Sequence, residues 1–210
     1  MKRWLRDNGL TIALMAVFLA TIAGMAAAGL AHENQQLKLH REEPLTFLAY
    51  VLSGSFVSAV FENWESEFLQ MSAYVMLTAF LFQRGSAESL DPDDPHREGD
   101  SAPVGIGGRL RQWLYSYGLG LTLAALFVIS FVIHWLASVR ASNEEALRHG
   151  YQAQSAMSYL VDPQLWFQSL QNWQSEFLST AALVVLSIFL RFKGSPESKA
   201  VSAPHSQTGT

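Results

Sequence analysis

Two short stretches carry residue types that could do chemistry together. Residues 63–69 read NWESEFL and residues 172–178 read NWQSEFL, an offset of 109 (172 − 63). On a helix, Asn63 and Glu67 share one face, as do Asn172 and Glu176, because residues four apart are neighbours. Ser66 and Ser175 add a hydroxyl at the same place in each stretch. If Glu67 and Glu176 come together, two nearby carboxylates would share a proton or hold a cation. The expected polar site is therefore Asn63, Ser66, Glu67, Asn172, Ser175 and Glu176. The first stretch is the more acidic, since Glu62 and Glu65 become Gln171 and Gln174. A structural reading competes. The asparagines would cap helices at a membrane surface, the glutamates would sit in favourable first turns, and Trp64 and Trp173 would anchor at the headgroups.

The elements that must position these residues are apolar. Half of the 210 residues are hydrophobic and 15% are charged, below the roughly 25% of soluble domains, which suggests a membrane protein with the bilayer as its first partner. Residues 10–31 carry no charge and at 1.5 Å per residue reach about 33 Å, enough to cross a hydrocarbon core. A second run covers about 117–137 and contains His134, which reads as an interfacial residue beside Trp135. Two shorter runs follow the heptads. With the heptads as their outer ends they give spans at about 64–83 and 173–192. Lys2, Arg3 and Arg6 before the first run also fit a signal peptide, but the run is longer than a usual signal core.

The offset of 109 holds far beyond the heptad. Trp4 corresponds to Trp113, Asn34 to Asn143, His40 to His149, Tyr50 to Tyr159, Gly85 to Gly194 and Glu88 to Glu197, with no gap. The chain therefore reads as an all-α membrane protein of four transmembrane helices in two tandem, parallel, two-span repeats. Repeat one is 1–90 and repeat two is 109–199; 91–108 is a cytoplasmic linker and 200–210 a disordered tail. Before the second span of each repeat lies a helix broken at Ser53-Gly54 and at Asp162-Pro163, interfacial or re-entrant; Asp-Pro suits an N-cap followed by proline at the first helical position.

Charge gives orientation. Ten lysines and arginines fall on the side of the termini and linker, and Lys38, Arg41, Arg140 and Arg148 fall on the other, which puts both termini in the cytoplasm. Trp4 and Trp113 then mark the inner interface, Trp64 and Trp173 the outer one. Ala16, Ala20, Gly24 and Ala28 form a small-residue seam suited to packing within the bundle or between protomers of a homo-oligomer.

Several functions are disfavoured. A net charge of −4 without a basic stripe argues against nucleic acid, and the absence of cysteine excludes disulfides and thiolate chemistry. No nucleophile–base arrangement, phosphate-cradling glycine loop or HExxH motif stands out, so no enzyme activity and no cofactor are expected. An embedded enzyme would need His40 or His149 folded over the heptad. The expectation is a small ion- or solute-handling module; the alternative is a structural or interaction protein.

The run FENWESEFLQM at 61–71, followed by GSAES at 85–89, resembles an uncharacterised family of small bacterial membrane proteins, catalogued as a domain of unknown function. The resemblance spans nearly the whole chain. It implies a bacterial inner-membrane protein and supplies no catalytic residues.

Overall fold

The computed structural model describes residues 2–97, 99–100 and 107–209, apart from the side chain of Lys2. The expected linker therefore lies in part (98 and 101–106) outside the described residues. The described residues form seven helices and no strand: α1 Lys2–Asp7, α2 Gly9–Leu39, α3 Phe47–Val51, α4 Gly54–Leu77, α5 Arg109–Arg148, α6 Ala156–Tyr159 and α7 Pro163–Phe189. Two of them, α2 and α5, are long and apolar enough to cross a membrane. On α2, Leu10, Leu14, Val17, Phe18 and Leu19 are all exposed, so apolar side chains point outward on every side. A helix apolar all round has no face suited to water.

The chain divides into two compact units, 1–59 with 136–154 and 60–135 with 155–210. In the first unit, Asn34 closes the turn that follows α2. Its side-chain amide donates to the carbonyl of Leu45 (3.2 Å) and its carbonyl accepts from the Leu45 amide (2.7 Å). Asn143 does the same for Gln154, at 2.9 and 2.7 Å. Tyr50 is buried against Gly29, where a β-carbon would collide with the phenol. Gly54 allows another close approach: a β-carbon there would lie 2.6 Å from the amide nitrogen of Ala141. Ser58 and Ser138 share a buried hydrogen bond of 2.7 Å.

In the second unit α4, α5 and α7 enclose a core of Val60, Leu123, Tyr159 and Leu165 mixed with several buried serines. Ser72 donates to the carbonyl of Gly120 (3.2 Å). The expected breaks are present before α4 and α7. Thr46 and Ser155 cap α3 and α6. Ser53 then accepts from the Phe56 amide, and Asp162 from the Gln164 amide with Pro163 at the first helical position.

The boundaries of the later helices differ from expectation. α4 begins at Gly54 and α7 at Pro163, about ten residues before the heptads. Asn63 and Asn172 therefore lie inside helices and cap nothing. The capping role falls to Ser53 and Asp162, and no residue between them and the heptads breaks the helix. The far ends also come earlier, at Leu77 and Phe189 rather than 83 and 192. At the first of these, the Thr78 hydroxyl donates back to the Tyr74 carbonyl (2.8 Å), competing with the helix ladder.

The tail at 200–210, expected to be disordered, folds back over its described part, 200–209. The buried Lys199 ammonium donates to the carbonyls of Gly85, His205 (3.2 Å) and Gln207 (2.9 Å). Thr208 accepts from the Gly85 amide (2.9 Å), and the Gly209 amide donates to Ser86 (2.9 Å). Gly85 and Gly194 both take positive φ, 86° and 87°, in the turns beyond α4 and α7 rather than at the helix ends. Backbone groups, not apolar surface, hold this tail, so its polar composition gave no sign of order.

Candidate functional site

The polar centre of the second unit is built on Glu65, which is fully buried on α4. One carboxylate oxygen accepts from the Ser169 hydroxyl on α7 at 2.7 Å. The other lies 3.0 Å from Nδ1 of His134 on α5, an imidazole also fully buried. With an ionised carboxylate accepting on both oxygens, Nδ1 would be the donor of this contact. That leaves Nε2 of His134 buried with no hydrogen-bond partner. Oε1 of Gln168 and Nε1 of Trp173 are buried and unpartnered in the same unit. With Nε of Arg191, four such atoms stand out among the described residues, because buried polar groups are ordinarily satisfied.

One helical turn before Glu65, Glu62 accepts from the side-chain amide of Asn172 at 2.6 Å. Aromatic rings line α5 and α7. Phe131 packs on Trp166 with centroids 6.0 Å apart, Phe127 on Trp173 at 5.9 Å, and Trp166 edge-on to Trp173 at 6.4 Å. In such surroundings a buried acid–imidazole pair interacts strongly, and removing one member leaves the other uncompensated.

The expected site residues divide. Asn172 is in the polar centre. Ser66 is buried, but its hydroxyl donates to the Asn63 carbonyl (2.7 Å), and Ser175 does likewise to Asn172 (2.8 Å). Asn63, Glu67 and Ser175 are exposed and Glu176 is half-buried; the charge of Glu67 does bear on Glu176. Of the tryptophans, Trp4 and Trp113 are exposed, and Trp64 packs on Phe61 (4.9 Å). Trp173 instead turns its indole nitrogen into the protein.

His134, read from sequence as interfacial, is a correction: no part of its side chain is exposed. Sequence reasoning passed over it because its counterpart 109 residues earlier is Met25, while recurrence was the guide. Glu65 was passed over likewise, its counterpart being Gln174. The signal was present in the differences: an ionisable residue in each of two helices, both lost at the matching positions.

A second polar cluster joins the turns after α4 and α7. Tyr74 donates to Glu88 at 2.9 Å, and Glu197 bonds the same carboxyl. Burial pushes the Glu88 carboxyl above its ordinary range; the Tyr74 bond opposes this and the charge of Glu197 adds to it. A cavity of about 230 Å³ adjoins it, lined by Tyr74, Leu77, Thr78, Phe82, Glu88 and Val184. Among the described residues no group of three or more His, Asp or Glu could hold a metal.

A family model covers residues 1–210, described as Domain of unknown function (DUF6766). The chain belongs to this family. No curated protein and no solved structure matches it. The DUF6766 chain is thus an all-helical protein with two helices able to cross a membrane and a buried acid–imidazole centre of its own.

Proposed function

We propose that this chain is an integral membrane protein that handles protons or small cations through the Glu65–His134 pair. The observation that carries the proposal is the buried, unpartnered Nε2 of His134 behind a carboxylate that already holds Nδ1. That nitrogen can accept a proton or donate a lone pair, and Glu65 would stabilise the imidazolium that forms. Intramembrane ionisable groups that face a helical bundle commonly mark such pathways. The order of the cluster favours proton transfer over acyl transfer. The carboxylate stands between Ser169 and His134, so the imidazole does not activate the hydroxyl, and we propose no enzyme activity.

In this reading four helices span the bilayer, as two parallel two-span repeats. α4 and α7, with 24 and 27 residues, are about 36 and 40 Å long. Support for the repeat comes from bonds that recur 109 positions apart, the Asn34–Leu45 and Asn143–Gln154 clamps first among them. Corresponding residues also meet one another: His40 with His149 and Glu88 with Glu197. A parallel pair of repeats brings equal positions together about an axis along the membrane normal. Lysine and arginine sidedness supports a cytoplasmic position for both termini, and the membrane of this reading is the inner membrane of a bacterial cell. The heptad then has two duties. Trp64 and the serines serve the helices, while Glu65 and Asn172 enter the polar centre.

The test is proton flux in liposomes holding the purified protein, under an imposed potential with a pH dye inside. Wild type should exceed empty vesicles, and Glu65→Gln or His134→Met should lower the excess at least tenfold. Glu67→Gln/Glu176→Gln should leave it. Flux equal to empty vesicles, or untouched by the first two changes, would overturn the proposal.

A further inference from the structure

The two histidines 109 residues apart, His40 and His149, come together in the first unit. Their ring centroids lie 5.9 Å apart and the rings stand at 82°, edge to face. Each histidine closes a helix. The His40 amide bonds back to Gln36 (3.2 Å) at the end of α2, and the His149 amide to Glu145 (3.2 Å) at the end of α5. Each is followed by a residue in the left-handed region, Arg41 at φ 61° and Gly150 at 74°. Both rings are thus set on matching backbone frames at the ends of two long helices, and both are exposed.

From this we infer that His40 and His149 form a two-histidine site for a divalent transition metal. Imidazole nitrogens lie about 2.0–2.1 Å from zinc, so two rings on one ion have centroids about 5–6.5 Å apart, and the observed spacing falls inside that range. A metal therefore needs ring rotation rather than backbone movement. Both rings sit where helix dipoles present their negative ends, which favours a cation. Arg41 follows His40 and Arg148 precedes His149 in the chain; the charge of Arg148 is offset by Glu33 (3.6 Å) and Glu42 (3.5 Å). No third His, Asp or Glu joins the pair among the described residues, so water or an outside ligand completes the coordination. Imidazole donors and an open sphere select copper, nickel and zinc over magnesium or calcium. Copper should bind tightest, by the general order of divalent affinities.

The experiment titrates Cu²⁺ and Zn²⁺ into the full chain, free of any affinity tag, by calorimetry, with electron paramagnetic resonance on the copper form. The expected result is one ion per chain, resonance coupling from two nitrogens, and at least a tenfold loss of affinity in His40→Ala and in His149→Ala alike. His32→Ala, on the exposed face of α2, should bind as wild type does. Neither exposed imidazole supports the core, so loss of fold would not explain a loss of binding. Absence of binding, coupling from a single nitrogen, or wild-type affinity in either variant would overturn the inference.

Discussion

The turn after α2 and the buried centre between α4, α5 and α7 treat the offset of 109 in opposite ways. In the turn the chain repeats itself. Asn34 clamps Leu45 and Asn143 clamps Gln154 through the same two hydrogen bonds, with lengths that agree within 0.3 Å. In the buried centre it departs from itself. Glu65, His134 and Ser169 correspond to Gln174, Met25 and Val60, so the acid–imidazole cluster exists once. What recurs is what any such helical turn needs. What does not recur is costly to bury. Under the proposed duplication, one position kept packing and the other gained chemistry.

The largest expected effect breaks the unique region. Glu65→Ala leaves His134 and Ser169 buried without their acceptor and should cost about 3–5 kcal/mol in unfolding experiments. Replacing the whole cluster by apolar residues, Glu65→Met with His134→Met and Ser169→Val, should recover most of that loss, because apolar replacement of a whole buried network is close to neutral. A triple variant no more stable than Glu65→Ala would mean that the cluster holds the fold together.

The repeated region should respond in matched pairs. Asn34→Ala and Asn143→Ala each remove two bonds to a turn and should each lower stability by about 1–3 kcal/mol. The two losses should agree within about 0.5 kcal/mol, the level at which independent sites behave additively. A loss confined to one clamp would separate two turns that the hydrogen bonds equate.

The smallest effect concerns pH. The folded state raises the Glu88 carboxyl above its unfolded value, chiefly by burial, so the fold binds that proton more tightly than the unfolded chain. This stability is present below the ordinary glutamate range and fades as pH rises through the elevated folded value. Melting temperature against pH should show the decline in wild type, and Glu88→Gln should flatten it.

Much of this was legible in the sequence. The offset, the two apolar helices and the breaks at Ser53 and Asp162 follow from local residue chemistry. The true starts of α4 and α7 were not, because a polar heptad resembles a membrane entry while its asparagines and glutamates also tolerate a helix interior. The folded tail was hidden for a related reason, since Lys199 and Thr208 find backbone partners distant in sequence. Recurrence pointed to Glu67 and Glu176, and the buried centre lay at positions where recurrence fails.

Thermal unfolding of the detergent-purified protein across pH and a panel of monovalent and divalent cations tests the central claim most directly. Three proteins are compared: wild type, Glu65→Gln and Glu67→Gln/Glu176→Gln. A ligand at 100 times its dissociation constant stabilises the native state by about 2.7 kcal/mol, a readily measured shift. The account predicts a response to one cation, at fixed pH, in wild type that persists in the double variant and disappears in Glu65→Gln. A response lost in the double variant and kept in Glu65→Gln would contradict it and return the site to the repeated heptad.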